Sequence, residues 1–477
     1  MARFSAAFGI SKSQAELDFV DVDLSTDTPV YVCPYAIQIR DDEWSNICGD
    51  HIRSFFGEVL DQLRADNAAR VEHLMSHLHE PNETHLGESR GRPRGRGVGT
   101  DKANWLGEAL RNSRAFETGV ISDISEAALF IRRVGRDTIS DLTTNILRGP
   151  LANYTREQCE LYDIATCETR SLGPAWNPAS RDWEAKVFTL PTHDGRPIVL
   201  VPKFSVRRNM SLDSQEFYNF HMVEYLQSEY LRSSSALVET LKNGTQRVTK
   251  KSVKEIHPFI KDDIAVFVQS HPDVLDLYKS IKGAKGPIES NDLETGFDEA
   301  VYAQALIDSI GNIEPGHKNA TRYHDFVMGV CTFLFYPDLI TPIKEFEQHN
   351  GRKRIDIKFT NASTDGFFYR MLESPQTRSI SIPFECKNYS KDIGNEEADQ
   401  LSGRFGHQRG FFGVLLCRSL PNRERVVAEC RDTAGDGRGF KLVFEDSDLQ
   451  TMLGFVRDGR RRSIDRFLSE RFDEITH

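Results

Sequence analysis

A chain of 477 residues, 39% hydrophobic and 27% charged, has room for two to four domains and a composition that excludes wholesale disorder. Its 60 Lys and Arg against 71 Asp and Glu give a net charge of −11, which excludes a uniformly basic nucleic-acid coat but not a local basic groove. No run of about 18 apolar residues is present, so no membrane span is expected. The first residues (MARFSAAFGISKSQAELDF) lack the long apolar core of a signal peptide. The cysteines at 33, 48, 159, 167, 331, 386, 417 and 430 form no Cys-x-x-Cys pair, so reduced thiols in a cytoplasmic protein are expected rather than a zinc finger or disulfide framework.

Residues 1–170 read as a mixed α/β region. Val30 to Cys33 is strand-like. From Trp44 to Leu63 the residues Ile47, Ile52, Phe55, Phe56, Val59, Leu60 and Leu63 recur at helical spacing. A Gly- and Arg-rich stretch interrupts this region between His79 and Thr100, and helical pattern returns at 103–110 and 125–131. Thr138 to Cys159 predicts two helices divided at Gly149-Pro150. Residues 171–290 form a second region. Lys186–Leu190 and Pro197–Val201, joined through His193-Asp194-Gly195, predict a hairpin. Residues 213–285 read as charged helices, with Lys242, Arg247, Lys250, Lys251 and Lys254 close together, and the pattern breaks at Lys282–Pro287.

The third region, 300–477, alternates helix (322–335), strands (354–360 and 379–387), helix (395–407), strand (411–417), helix (423–430) and strand (439–444). That order predicts an α/β domain with a central mixed sheet flanked by helices, in a chain that is α+β overall. Within it, Asp356 alternates with Ile355 and Ile357 on one strand. Glu385 and Lys387, two apart, share one face of another. A carboxylate and an ammonium on a central strand are costly to bury unless they have each other, a metal or a phosphate. Asp356 and Glu385 on neighbouring strands supply hard oxygen ligands for Mg²⁺, with the Cys386 carbonyl as a further ligand. Lys387 then positions or deprotonates water, or stabilises charge on a phosphorane.

Asp356…Glu385-Cys386-Lys387 resembles the D…(D/E)-x-K signature of the PD-(D/E)XK nuclease superfamily, and the element order over about residues 310–445 resembles the αβββαβ core of that restriction-endonuclease-like fold. Ile355 stands where the signature's name has proline. Pro337-Asp338 is an alternative pair, and the long gap from Asp356 to Glu385 requires an insertion, which a short helix at Asp365–Glu373 fills. The resemblance to the Mrr-like branch gives Gln400 a place near the active site, and an acidic residue on the preceding helix, in some branches, is matched by Asp325 or Glu345. It implies a Mg²⁺-dependent DNA endonuclease in which Mn²⁺ substitutes. By analogy it is a bacterial restriction or anti-phage defence effector with a defence-system partner protein. A double-strand break in one event needs two active sites, hence a homodimer. The competing expectations are a nucleic-acid-binding scaffold on an inactive domain and an RNA-directed nuclease on the same fold.

Arg352, Lys353, Arg354, Lys358, Arg404 and Arg409 are the expected phosphate contacts, against a plain solvated face. Residues 336–477 hold 23 basic and 23 acidic side chains, so the entire acidic excess lies in front of the proposed catalytic region. Arg90–Gly97 (RGRPRGRG) resembles an AT-hook core, against an ordinary Arg/Gly loop. His73, His77, His79 and His85 lack the acid of an H-E-x-x-H zinc motif and read as a polar helix end.

Overall fold

A computed structural model describes residues 3–88, 99–348, 353–389 and 400–476. The chain divides into two compact units: residues 1–4 with 22–288, and residues 5–21 with 289–477. None of the described helices is long and apolar enough to cross a membrane.

In the first unit the helix Glu43–Arg64 starts where the Asp42 carboxylate accepts the Ser45 N–H at 2.9 Å, and its stripe from Cys48 through Ile52, Phe55, Phe56, Val59 and Leu63 is buried. Ile47, assigned to that stripe by spacing, is 45% exposed. The expected division at residue 170 is absent, because the segment beyond it fills the core of the segment before it. Trp176 packs edge-on against Phe55 with ring centroids 5.0 Å apart, and the Trp183 indole N–H donates to the Leu74 carbonyl at 2.9 Å. The helices Arg136–Ile146 and Arg148–Leu161 meet at Leu147. Gly149-Pro150 therefore lies inside the first turn of the second helix, where proline's missing N–H has no partner to lose. The hairpin is also redrawn. Phe188–Leu190 pairs with Cys167–Thr169, and the Asp194-Gly195 turn closes only Thr192–His193 on Arg196–Pro197. Both turn residues have positive φ (49° and 73°), as a two-residue hairpin loop demands. Between 214 and 283 the chain is mainly helical, as its pattern predicts. All eight cysteines are free thiols, with Cys167 alone exposed.

The second unit is built on α1 (Glu299–Ile310), α2 (Ala320–Phe335), β1 (Leu339–Gln348), β2 (Lys353–Asn361), α3 (Gly366–Glu373), β3 (Ser381–Lys387), β4 (Phe412–Cys417), α4 (Arg423–Gly435), β5 (Phe440–Glu445), α5 (Asp446–Arg457) and α6 (Ser463–Thr476). The strands lie in the order β1-β2-β3-β4-β5. The first three pair antiparallel, and β3, β4 and β5 run parallel. The sequence dictates this division. β4 (FGVLLC) is a continuous apolar run and is buried throughout, as a parallel strand covered on both faces must be. β1 carries Lys344, Glu345 and Glu347, charges suited to a sheet edge, and for that reason its pattern was not legible as a strand. On one face Phe384 of β3 meets Phe359 of β2 and Phe335 of α2 at centroid distances of 5.3 and 6.4 Å. On the other, Leu415, Cys417 and Val443 pack with Val426 and Cys430 of α4, Leu401, and Ile475 of α6. The expected helix at 395–407 is helical at 400–402 among the described residues and then turns.

Residues 5–21 belong to this unit rather than to the N-terminal region in which the sequence placed them. The Lys12 ammonium donates to the Asp325 carbonyl of α2 at 2.9 Å and to Glu16 at 2.8 Å, and the Asp18 carboxylate accepts the Thr341 N–H at 3.0 Å. Gly329 of α2 faces Glu16 and Lys12 so closely that a Cβ there would collide with both.

Candidate active site

The site is set by the register of β2 on β3. Ile357 lies opposite Phe384, so one step further Asp356 lies opposite Glu385 and projects to the same face. Along β2 the residues Ile355, Ile357 and Phe359 are buried, while Asp356 and Lys358 are half-buried on the other side. There the paired ladder ends, and the Asp356 carboxylate accepts the Cys386 N–H at 2.9 Å. Glu385 is 3% exposed. Its Oε1 accepts from the Lys387 ammonium at 2.9 Å, and its Oε2 is buried with no hydrogen-bond partner among the described residues. Lys387 also donates to Gln400 Oε1 at 3.0 Å. Asp356, the Glu385 and Lys387 pair, and Gln400, separate in sequence, are thus joined by one strand register and one helical turn.

Burial pushes the Glu385 carboxyl above its usual range, and the neighbouring Asp356 charge adds to this, while Lys387 opposes it. Burial alone would lower Lys387, but the Glu385 and Asp356 carboxylates outweigh it and hold the ammonium above its ordinary value. Lys387 is therefore a cation at neutral pH, fitted to stabilise negative charge more than to remove a proton. The Cys386 thiol, raised by full burial, lies on the opposite face and is chemically inert, so only its backbone serves the site.

His324 is the contributor that sequence reasoning missed. Its Nε2 lies 3.1 Å from the Cys386 carbonyl oxygen, the atom expected to serve as a metal ligand. A carbonyl oxygen has two lone pairs, so this contact leaves one available. The signal was present in the helical phase: 324, 327 and 331 share a face of α2, and Val327 and Cys331 are core residues. Asp325, one residue on, pairs with Lys344 of β1 at 2.9 Å. Asp338 accepts from the Ser363 hydroxyl at 2.6 Å beside the Leu339 and Asn361 pair, about 17 Å along β2 from Asp356 at roughly 3.4 Å per residue. Pro337-Asp338 therefore caps a loop at the far end of the strand. Lys358 is on the Asp356 face of β2, the Arg404 charge acts on Glu385, and the Arg409 Nε–H donates to the Arg404 carbonyl at 3.2 Å. Arg352 and Arg90–Gly97 lie outside the described residues, as do the side chains of Lys353, Arg354 and Glu345.

Among the described residues no three His, Cys, Asp or Glu side chains converge on one point, in this site or around His73, His77, His79 and His85. His73 instead lies 2.9 Å from Asp182, and His79 3.0 Å from Arg148. Two carboxylates, one of them with a buried unpartnered oxygen, and a backbone carbonyl are nonetheless what Mg²⁺ takes from a protein when water and substrate phosphate supply the remaining positions.

Residues 9–213 match the family model of DUF8370, a domain of unknown function. The match ends before α2, so Asp356, Glu385, Lys387, Gln400 and His324 lie outside it, and no nuclease family matches. No curated protein and no solved structure matches the chain.

Two expected results follow from the electrostatics. On the expectation that Asp356 and Glu385 hold a metal, Mn²⁺ binding titrated calorimetrically between about pH 5 and pH 8 should fall away on the acid side above the usual glutamate range. Lys387→Met should move that limb to still higher pH, because the opposing cation is gone; an unmoved limb would contradict the pairing. Asp356→Asn keeps an oxygen for the Cys386 N–H but removes the charge that raises Glu385. A carboxyl with a raised folded pKa costs stability above that pKa, so the metal-free variant should melt higher at pH 7, by about 2–4 °C for about 1 kcal/mol. A lower melting temperature would show that the attraction of Asp356 for Lys387 outweighs its repulsion of Glu385.

Proposed function

We propose that the second unit is a metal-dependent nuclease that hydrolyses phosphodiester bonds in DNA, the reading that the resemblance to the PD-(D/E)XK superfamily implies. The observation that carries it is the Glu385 carboxylate: buried, one oxygen unpartnered, level with Asp356 and bonded to Lys387. A carboxylate in that state is unfavourable for the fold alone and is explained by a cation it holds. The order α2, three antiparallel strands, a helical turn and a parallel strand supports the same reading, since it follows the αβββαβ core.

Asp356, Glu385 and the Cys386 carbonyl would hold Mg²⁺, with Mn²⁺ as substitute. When bound, the ion polarises a phosphoryl oxygen and lowers the pKa of a water. Lys387 places its positive charge where the phosphorane gathers negative charge. Gln400 keeps that ammonium oriented, and His324 fixes the Cys386 carbonyl. Lys358, Arg404 and Arg409 contact the flanking phosphates. On this reading the chain is a restriction or anti-phage defence effector, acting with a partner protein and as a homodimer where both strands are cut.

The test is incubation of the full chain with supercoiled plasmid and, separately, with structured RNA, in Mg²⁺, in Mn²⁺ and in EDTA. Metal-dependent nicked or linear DNA is the expected product. Linear product without a nicked intermediate indicates paired sites. Cleavage of RNA alone would move the proposal to the RNA-directed reading, and cleavage of neither would overturn it.

A further inference from the structure

A cavity of about 290 Å³ opens in the first unit. That is near the lower end of ordinary small-molecule pockets, about 300–1,000 Å³. Its wall is largely apolar, with Leu106 and Leu142 both buried, and the half-buried Trp105 contributes an aromatic surface. Three polar side chains on the lining are uncommitted among the described residues: the Arg133 guanidinium, the Glu80 carboxylate and the Thr138 hydroxyl have neither a hydrogen bond nor an ion pair. The Asn145 amide, on the same wall, is by contrast fully engaged with the backbone of His79 and Asp141 and with Arg148. An apolar pocket with a few free polar groups is the pattern of a ligand site.

Arg133 stands in a loop whose backbone is tied down on both sides of it. Its backbone is left-handed, with φ at 62°, a conformation that disfavours a side-chain-bearing residue. The flanking loop is clamped from outside. The Lys261 ammonium donates to the carbonyls of Ala128, Ile131 and Val134 at 2.6, 2.9 and 2.9 Å, and Arg132 pairs with Asp262 at 2.5 Å. The backbone at the strained residue is thus fixed, and its exposed guanidinium borders the cavity.

We propose that this cavity binds a nucleoside monophosphate, its base stacked on Trp105 with an exocyclic amino group toward Glu80, and its phosphate held by Arg133. The three chemistries offered are an aromatic face, a hydrogen-bond acceptor and a cation in a fork geometry matched to phosphate. One nucleotide carries all three complements, and the volume leaves no room for a chain of them. This site is separate from the proposed nuclease chemistry, and its test contains no cleavage step.

Calorimetric titration of the full chain in EDTA with AMP, GMP, CMP and UMP, each to about 1 mM, tests it, with the nucleosides and inorganic phosphate alongside. At least one amino-bearing nucleotide should bind and quench tryptophan fluorescence. Its nucleoside and UMP should bind about tenfold or more weakly, the worth of a lost charge-assisted hydrogen bond. Arg133→Ala, at an exposed position whose loss leaves the core intact, should lower nucleotide affinity to that of the nucleoside. Trp105→Phe should remove most of the quenching. Absence of binding by all four nucleotides, equal affinity for nucleoside and nucleotide, undiminished binding by Arg133→Ala, or binding of a single-stranded oligonucleotide with no mononucleotide bound would each overturn the proposal.

Discussion

Asp356→Ala should bring metal-dependent plasmid cleavage down by about a thousandfold or more, to the level of the EDTA control. The side chain does two things at once. It supplies one of two carboxylates that face each other where β2 and β3 separate, and it receives the Cys386 N–H at 2.9 Å, so it also sets the backbone whose carbonyl would join the metal site. Lys387→Ala should cost a similar factor by another route. The ion pair with Glu385 is lost, leaving a buried carboxylate with a raised pKa and no cation beside it, and with it the charge that would meet the phosphorane. Gln400→Ala removes only the outer partner of Lys387, at an exposed position, and should reduce the rate about tenfold while leaving Mn²⁺ affinity nearly unchanged. The ordering is the discriminating result. Wild-type cleavage by Asp356→Ala or Lys387→Ala would end the assignment, and a Gln400 effect equal to theirs would make Gln400 a direct participant. Plasmid nicking measured over a range of enzyme concentrations, with circular dichroism to check folding, reads all three.

Much of this site was legible in the sequence because short-range rules govern it. Asp356 between two isoleucines, and Glu385 two residues from Lys387, are statements about the pleat, and the pleat has a fixed period. Which strands would be neighbours followed from their order along the chain. Three features escaped for physical reasons. β1 escaped because an edge strand carries charge to discourage further pairing, and charge erases the alternation by which strands are read. His324 escaped because its role is set by what α2 packs on, while the neighbouring Asp325 offered a more familiar ligand and is in fact tied to Lys344. The assignment of residues 5–21 to the second unit escaped because nothing local marks it. Lys12, Glu16 and Asp18 read as an ordinary polar stretch until α2 and Thr341 are brought to them. In the first unit the same limit applies to Trp176 and Trp183, which are core residues for a helix more than 100 positions earlier.

The largest stability effect is expected at Arg418, immediately beyond β4. Its side chain, 9% exposed, lies 2.7 Å from the Asp446 carboxylate and stacks over the Tyr323 ring at 4.9 Å, and it donates to the carbonyls of Ile310 and Ile313 and to Asn388. Tyr323 donates to the other Asp446 oxygen at 2.8 Å, and Asn388, the residue after Lys387, donates to the Gly316 carbonyl at 2.8 Å. One guanidinium therefore ties the end of β3, the loop leading into α2 and the start of α5. Burial already raises Asp446, with Tyr323 and Arg418 opposing it. Arg418→Ala removes the cation and leaves the acid buried, a change that costs about 3–5 kcal/mol and should lower the melting temperature by about 10 °C. The sign with pH separates this from simple loss of packing. A carboxyl whose folded pKa is raised costs stability above that pKa and ceases to do so once protonated, so the deficit of Arg418→Ala should narrow as pH falls through the raised value. Adding Asp446→Asn to Arg418→Ala should restore most of the loss at pH 7, since no buried charge then remains, whereas a lost cavity contact would not be repaired by it. Arg418→Lys keeps the charge without the fork that reaches Ile310, Ile313 and Asn388 together, and should stand between the two. If the double variant melts no higher than the single, Arg418 acts through its packing on Tyr323 and not through Asp446.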